Sequence, residues 1–263
     1  MKTKKLPAAA AFLKKIGLSR GPIRKQILKY ISSRKDDGTP FLSDFFGSPV
    51  VLYLDNNTDR KVLLTSNCRY DDVEINFLGS HMTKNGWFVD IGANSGLISV
   101  GVRAVSDTMR VLAIEPNPEM YRRAKHNLIE LDPNNKRSTF LVEAALSEND
   151  GTVFLETING YGEASISDEE TGSTIEVPSR SFKSLVEEHE IEAIDALKID
   201  IEGYEDTVIP MMFDTLSERL WPNAIVIETQ ADNEKSAAIQ AIAASGYRLV
   251  KSTRSNLLFS RVA

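Results

Sequence analysis

Residues 87–96 read WFVDIGANSG, and the fold turns on how those residues divide. WFVDIG has the length and aromatic, β-branched character of a short buried strand. A turn carrying Gly92 and Gly96 follows, and the apolar pattern beyond it predicts a helix from about Leu97 to Val105. Glycines in such a turn let the backbone approach a ligand and take angles that other residues resist. The spacing is not the dinucleotide fingerprint GxGxxG, because these glycines are four apart and Asp90 precedes the first. A carboxylate there repels a pyrophosphate and attracts a cationic amino-acid moiety.

Outward from this turn, strands and helices alternate. RVLAIEP reads as a second strand, Glu119 to Leu131 as a second helix, and STFLVEAAL as a third strand. Between 151 and 180 the rhythm changes: GTVFLETI and STIEVP are strand-like, with a polar loop between them that contains Tyr161. SFKSLVEEHEI returns to helix, DALKIDIEG to strand, and YEDTVIPMMFDTL to a helix with a kink or restart at Pro210. AIVIETQ is the next strand, NEKSAAIQAIAASG a helix ended by Gly246, and YRLVKST with NLLFSRV a closing hairpin. This alternation predicts an α/β, Rossmann-like fold with a mostly parallel sheet covered on both faces. Ligands in such sheets sit beyond the carboxyl ends of the strands. Glu115 falls one strand–helix–strand unit after the glycine turn, where a carboxylate can accept both hydrogens of a ribose diol. The turn and the acid together point to an adenosine-type cofactor.

A second stretch, LKIDIEG (197–203), places Leu197, Ile199 and Ile201 on one face and Lys198, Asp200 and Glu202 on the other. Apolar residues on both flanks suggest an interior strand, but three charges within five residues on one face leave it either a solvated edge strand or the floor of a site. A buried Lys198 ammonium needs an acidic neighbour.

DIGANSG, EPNPEMYRRAKHNL, AALSENDG and LKIDIEGYE occur in the order found in the FkbM-type S-adenosylmethionine-dependent methyltransferases, which the chain resembles over about residues 70–230. The resemblance implies the class I methyltransferase fold: a seven-stranded, mostly parallel sheet with one antiparallel strand and helices on both faces. It also implies methylation of a hydroxyl on a sugar, glycolipid or related metabolite. Carried over by position, Asp90, Gly92, Ala93, Asn94 and Gly96 form the loop for S-adenosyl-L-methionine. Glu115 holds the ribose, and Glu143 and Ala144 lie beside the adenine. Phe182-Lys183 stands where the family often has Leu-Asp, and Pro210 interrupts a helix that usually lacks proline.

Methyl transfer from a sulfonium requires the acceptor oxygen in line with the methyl group and its proton removed as the bond forms. On this reading Asp200 or Glu202 takes or orients that proton, and Lys198 tunes the pair; the alternative is that the trio only fixes the loop. Glu228 would make a third carboxylate for Mg²⁺, but Lys198 already supplies positive charge, so no metal is assigned. His81 is a secondary candidate for the base, while His126 and His189 read as solvent-facing. Tyr70, Asp71 and Glu74 are candidates to close over the cofactor, and Trp87 and Trp221 are packing residues. A methyltransferase acting on nitrogen or a non-sugar hydroxyl, a non-catalytic cofactor-binding module, and a nicotinamide dehydrogenase are the competing readings.

No apolar run reaches the roughly 18 residues of a membrane span, and LPAAAAFL is too short and too interrupted by lysines for a signal peptide. The single cysteine, Cys68, excludes an internal disulfide and fits a reducing, cytoplasmic setting. Residues 1–35 hold eleven Lys and Arg and no acid, whereas all 37 Asp and Glu lie beyond them. That arm, with an amphipathic helix expected at Pro22 to Ser33, is either a solvated flank or a contact for an anionic membrane surface or partner. Nucleic acid is not expected, since no basic and aromatic track continues past the arm. The expected organisation is a basic helical arm (1–45), a β-hairpin lead-in (46–70) turning at Asn56-Asn57, and the methyltransferase domain (71–263). The small-molecule or glycan acceptor is left unspecified, as is the oligomeric state.

Overall fold

The structure is a computed structural model that describes residues 2–15, 23, 26–27, 29, 38–64, 70–106, 108–132, 138–158, 163–167, 174–201, 203–228 and 236–262. A helix, α1 (Ala8–Lys15), precedes a hairpin of β1 (Phe41–Phe45) and β2 (Ser48–Leu52). Its two turn residues, Phe46 and Gly47, both have positive φ, the geometry that matches the twist of paired strands. Most of the helix expected at Pro22 to Ser33 lies outside the described residues, although Ile27 is described and packs into the core.

The lead-in departs from expectation. The hairpin closes by Leu52, and Asn57–Leu64 forms a helix, α2, where a second strand was expected. Asn56 caps it, its Oδ1 accepting from Asp59 N at 3.0 Å, and Val62, Leu63 and Leu64 are buried. The elements α3 (Asp72–His81), β3 (Trp87–Ile91), α4 (Leu97–Val105), β4 (Arg110–Ile114) and α5 (Pro118–Lys125) then alternate as expected. A π-helical turn at His126–Glu130 extends α5.

The expected third strand is split. β5 (Thr139–Val142) joins β4, but the chain then leaves that sheet, and β6 (Ala145–Leu146) pairs with β9 (Thr174–Arg180). β7 (Gly151–Ile158) and β8 (Glu163–Ser167) complete a second, four-stranded sheet. β8 occupies part of the expected polar loop, and Tyr161 lies outside the described residues. The chain continues through α6 (Phe182–Glu188), β10 (Ala196–Ile199), α7 (Glu205–Thr215), β11 (Ala224–Glu228), α8 (Ala237–Ala244), β12 (Tyr247–Ser252) and β13 (Asn256–Arg261). Pro210 lies inside α7, which is one helix with no restart, and Phe182 is a core residue.

The main sheet has seven strands in the order β12-β13-β11-β10-β3-β4-β5, with β13 antiparallel to both neighbours. Each face is covered by its own apolar core. Phe88, Val111 and Ala113 face α3, α4 and the hairpin, while Val89, Ile91, Leu197, Ile199 and Ile225 face α6, α7 and α8. Burial on both sides explains why every residue of β3 and β10 is inaccessible, and it places Asp90 and Lys198 side by side on one face.

Candidate active site

At the carboxyl ends of β3, β4, β10 and β11 the chain surrounds a cleft of about 310 Å³. Its floor is the turn after β3. Gly92 N and Ala93 N both donate to Ile114 O at 3.0 Å, tying the turn to the end of β4. Gly92 has φ +75°, and a Cβ there would overlap the Asp200 carbonyl, so glycine alone fits between the two strand ends. Asn94 (φ 51°) donates its N–H to Glu115 Oε2 at 2.7 Å, and Asn117 N donates to Oε1 at 2.8 Å. Glu115 is thereby fixed at the cleft wall with further lone pairs on both oxygens, and burial pushes its carboxyl up to about 7. Asn117 Oδ1 caps α5, leaving its buried Nδ2 without a partner among the described residues.

The turn is supported from a side the sequence reading missed. Asn56 Nδ2 donates to Asn94 Oδ1 at 2.7 Å, Ser95 Oγ donates to Asp59 Oδ1 at 2.6 Å, and Asn127 Nδ2 donates to Ser95 O at 2.9 Å. Asp59 is fully buried, and burial pushes its carboxyl up to about 6.

Asp90 lies beneath the turn rather than on the cleft surface, 1% exposed, with Ser99 Oγ donating to its Oδ2 at 2.6 Å. Its other oxygen has no hydrogen-bond partner among the described residues, and Lys198 sits opposite it in register on β10. Lys198 is 4% exposed and donates to Asp200 Oδ2 at 2.9 Å, so the buried ammonium has the acidic neighbour it requires. Burial works against charge on both partners. For Asp200 it is outweighed by Lys198 and a hydrogen bond with Glu228, which hold its carboxyl below the usual range. For Lys198 it is outweighed by Asp200 and Asp90, which hold the ammonium above its ordinary value.

Lys198, Asp200 and Glu228 line the cleft, as do Ala93, Asn94, Glu115 and Ala144. Gly96 stands behind it as the N-cap of α4, packed on Leu128. Glu143 is exposed and outside the cleft wall, because the chain turns away from β5 at that point, and Leu146 and Leu155 supply the apolar surface beside Ala144 instead. Glu202 lies outside the described residues. The turn around it is braced by Glu205, also missed from sequence, which accepts from Ile201 N at 2.8 Å and Gly203 N at 2.9 Å.

His81 faces the opposite end of the sheet, its Nε2 3.3 Å from Ser260 Oγ, and does not reach the cleft. His126 pairs with Glu130 at 2.6 Å, and His189 packs on the Phe140 ring. Trp87 and Trp221 pack against Phe140 and Phe213. The far wall of the cleft comes from Asn57, Thr58 and Lys61 of α2, from Tyr70 and Asp71, and from Ser255 and Asn256 before and at the start of β13. Glu74 is buried behind it, accepting from Thr253 Oγ1 at 2.6 Å and Asn256 Nδ2 at 3.1 Å. Among the described residues no three His, Cys, Asp or Glu form a metal-binding group.

The strand order, the glycine turn and the acid at the end of β4 define a class I, S-adenosylmethionine-dependent methyltransferase. The profile of the Methyltransferase FkbM domain matches residues 90–249, and the chain belongs to that family. No curated protein matches the chain. Solved structures similar to it include precorrin-6y C5,15-methyltransferase from Geobacter metallireducens GS-15, at 15% identity and TM-score 0.42, over 72% of this chain and 85% of that one. The METTL16 methyltransferase domain matches at 13% identity and TM-score 0.49, over 92% of this chain and 80% of that one. M. jannaschii TYW2 in complex with AdoMet matches at 12% identity and TM-score 0.43, over 86% and 88%.

The residues present fit the cofactor. Glu115 offers two fixed oxygens to a diol, Leu146 and Leu155 offer an apolar slot to a purine, and the orphaned Asn117 Nδ2 is a donor available to it.

Proposed function

We propose that the protein transfers a methyl group to a hydroxyl of an uncharged sugar, glycolipid or related polyol. The observation that carries this reading is the acidic ledge formed by Asp71, Asp200 and Glu228 in the same cleft as the glycine turn. Among the described residues lining the cleft, the cations are Lys61 and Lys198, and Lys198 is engaged by Asp200. A phosphorylated or polyanionic acceptor would meet these carboxylates, with one proton shared between Asp200 and Glu228, whereas a neutral hydroxyl finds acceptors for its proton.

The cofactor supplies an electrophilic methyl group on a sulfonium. Glu115 takes the ribose diol, and Lys198 keeps Asp200 ionised so that its carboxylate accepts a hydrogen bond from the acceptor hydroxyl. Glu202, two residues on, is the second carboxylate assigned to that hydroxyl. Positioning of this kind supplies up to roughly 7–11 kcal/mol in favourable cases. The basic arm is proposed to rest on an anionic membrane surface, since Lys2, Lys5 and Lys15 are exposed and Phe12 is 60% exposed.

Tritiated methyl groups from S-adenosylmethionine, followed into cell-envelope extracts, test the reaction. Label in alkali-stable sugar methyl ethers is the expected outcome. Label in RNA, protein or alkali-labile esters overturns it, and cofactor binding without any transfer would identify a binding module instead.

A further inference from the structure

The ledge holds two kinds of carboxylate. Asp200 is committed: Lys198 is 2.9 Å from its Oδ2 and Glu228 bonds to it, so a proton placed on Asp200 would have to break a buried ion pair. Asp71, which lies outside the residues matched by the family profile, is not committed in that way. It stands at the N-cap of α3, where an aspartate ordinarily accepts from the first helical N–H groups, yet its side chain makes no capping bond. Its backbone is left-handed (φ 50°, ψ 31°), a conformation that aspartate tolerates better than most side chains. Asp71 lines the cleft that also contains the glycine turn and Asp200.

We propose that Asp71 is the base that takes the acceptor's proton, and that Asp200 only orients the hydroxyl. The proposal rests on the O-methylation reading given above. In the transfer, the hydroxyl O–H bond breaks and its proton passes to an Asp71 carboxylate oxygen. The acceptor oxygen forms the new bond to carbon, and the electron pair of the broken carbon–sulfur bond stays on sulfur, neutralising the sulfonium.

The surroundings of Asp71 suit that task. Facing it are Glu74 on its own helix, Lys61 from α2, Lys198 from β10, Asp200 just beyond that strand, and the adjacent Tyr70. Burial and the Glu74 charge push its carboxyl up to about 6, against the pull of Lys198 and Lys61. A base of that strength is ionised at neutral pH yet holds a proton far better than the ion-paired Asp200. The Tyr70 hydroxyl, hydrogen-bonded with both Asp71 and Thr58, fixes the carboxylate's orientation.

Asp71→Asn tests this, because asparagine also tolerates the left-handed backbone. In the full chain saturated with S-adenosylhomocysteine, the ¹³C carboxylate resonance missing from D71N is expected to titrate near 6. Titration below about 4.5, in the ordinary carboxylate range, overturns the assignment. With envelope extract as acceptor, wild-type transfer is expected to rise with pH through about 6. D71N is expected to lose that limb and about 100-fold or more in rate, with S-adenosylhomocysteine affinity unchanged, and D71E to regain part of both. A D71N rate within threefold of wild type, or one that keeps the limb, overturns the proposal. If the wild-type protein yields no methyl ether, the O-methylation reading fails, and the resonance titration still decides the state of Asp71.

Discussion

Gly92 and Asp200 meet backbone to backbone where β3 and β10 end, close enough that any Cβ at residue 92 would overlap the Asp200 carbonyl. This contact joins the glycine turn to the acidic ledge in one seam. Asp200 N also donates to Ile91 O at 3.0 Å, closing the seam from the other side.

Gly92→Ala therefore has to move one strand end against the other, besides forcing a left-handed alanine at about 1–2 kcal/mol. The sheet itself is untouched. The expected result is a folded protein with at least about tenfold weaker S-adenosylhomocysteine binding by calorimetry, since 1.4 kcal/mol is a factor of ten. An affinity within twofold of wild type would show that the turn does not touch the cofactor.

Lys198→Met strands Asp90 and Asp200 around an apolar side chain. Removing one partner of a fully buried ion pair costs about 3–5 kcal/mol; with the Asp200 side chain 33% exposed the loss is smaller, and Tm is expected to fall by several degrees. Because Lys198 holds Asp200 below the usual carboxylate range, that stabilisation is present above the ordinary carboxylate pKa. It is lost only as pH falls through the depressed value. The K198M/D200N double variant should recover part of the loss in thermal melts at neutral pH. Equal melting of wild type and K198M would mean the pair contributes nothing net.

The strand–helix rhythm was legible because buried parallel strands such as WFVDI and ALKI are continuous apolar runs, interrupted only where Asp90 and Lys198 face each other. The glycine turn was legible because Gly92 and Gly96 answer to local backbone geometry, which a short stretch encodes. α2 was misread because Val62, Leu63 and Leu64 satisfy a strand pattern as well as a helical one. The deciding signal was the Asn56 cap with Asp59 three residues on. Glu143 was misplaced for a different reason. Nothing near Val142 announces that the chain will leave one sheet for another, because Ala145 and Leu146 are drawn away by β9, some 30 residues further along the chain. Supports such as Asn127 and Asp59 depend on tertiary neighbours and leave no periodic trace.

Glu115, if it takes the ribose as proposed, is expected to make cofactor affinity pH-dependent. Its carboxyl titrates near about 7, above the ordinary glutamate value, so it is ionised above that pH and neutral below it. Only the ionised form can accept both diol hydrogens on top of the bonds from Asn94 and Asn117. S-adenosylhomocysteine affinity should therefore weaken as pH falls from about 8 to about 6, and Glu115→Gln should bind weakly across that range with no such slope. A flat wild-type profile would remove Glu115 from ribose recognition.

The arm is testable apart from the chemistry. α1 buries Ala10 and presents Phe12 to solvent, with Lys2, Lys5 and Lys15 exposed nearby. Lysines close to an anionic surface contribute about 1 kcal/mol each, an attraction that salt screens. The backbone of Lys4 is bonded to Pro40 and Leu42, so deleting the whole arm would disturb β1 and confuse the result. Charge reversal at the exposed positions avoids that. The wild-type chain is expected to co-sediment with vesicles of equimolar phosphatidylglycerol and phosphatidylcholine at low salt, and not with phosphatidylcholine alone. K2E/K5E/K15E should lose that binding by about 100-fold or more while binding S-adenosylhomocysteine normally. Binding that survives charge reversal, or that ignores lipid charge, would leave the arm as a solvated flank.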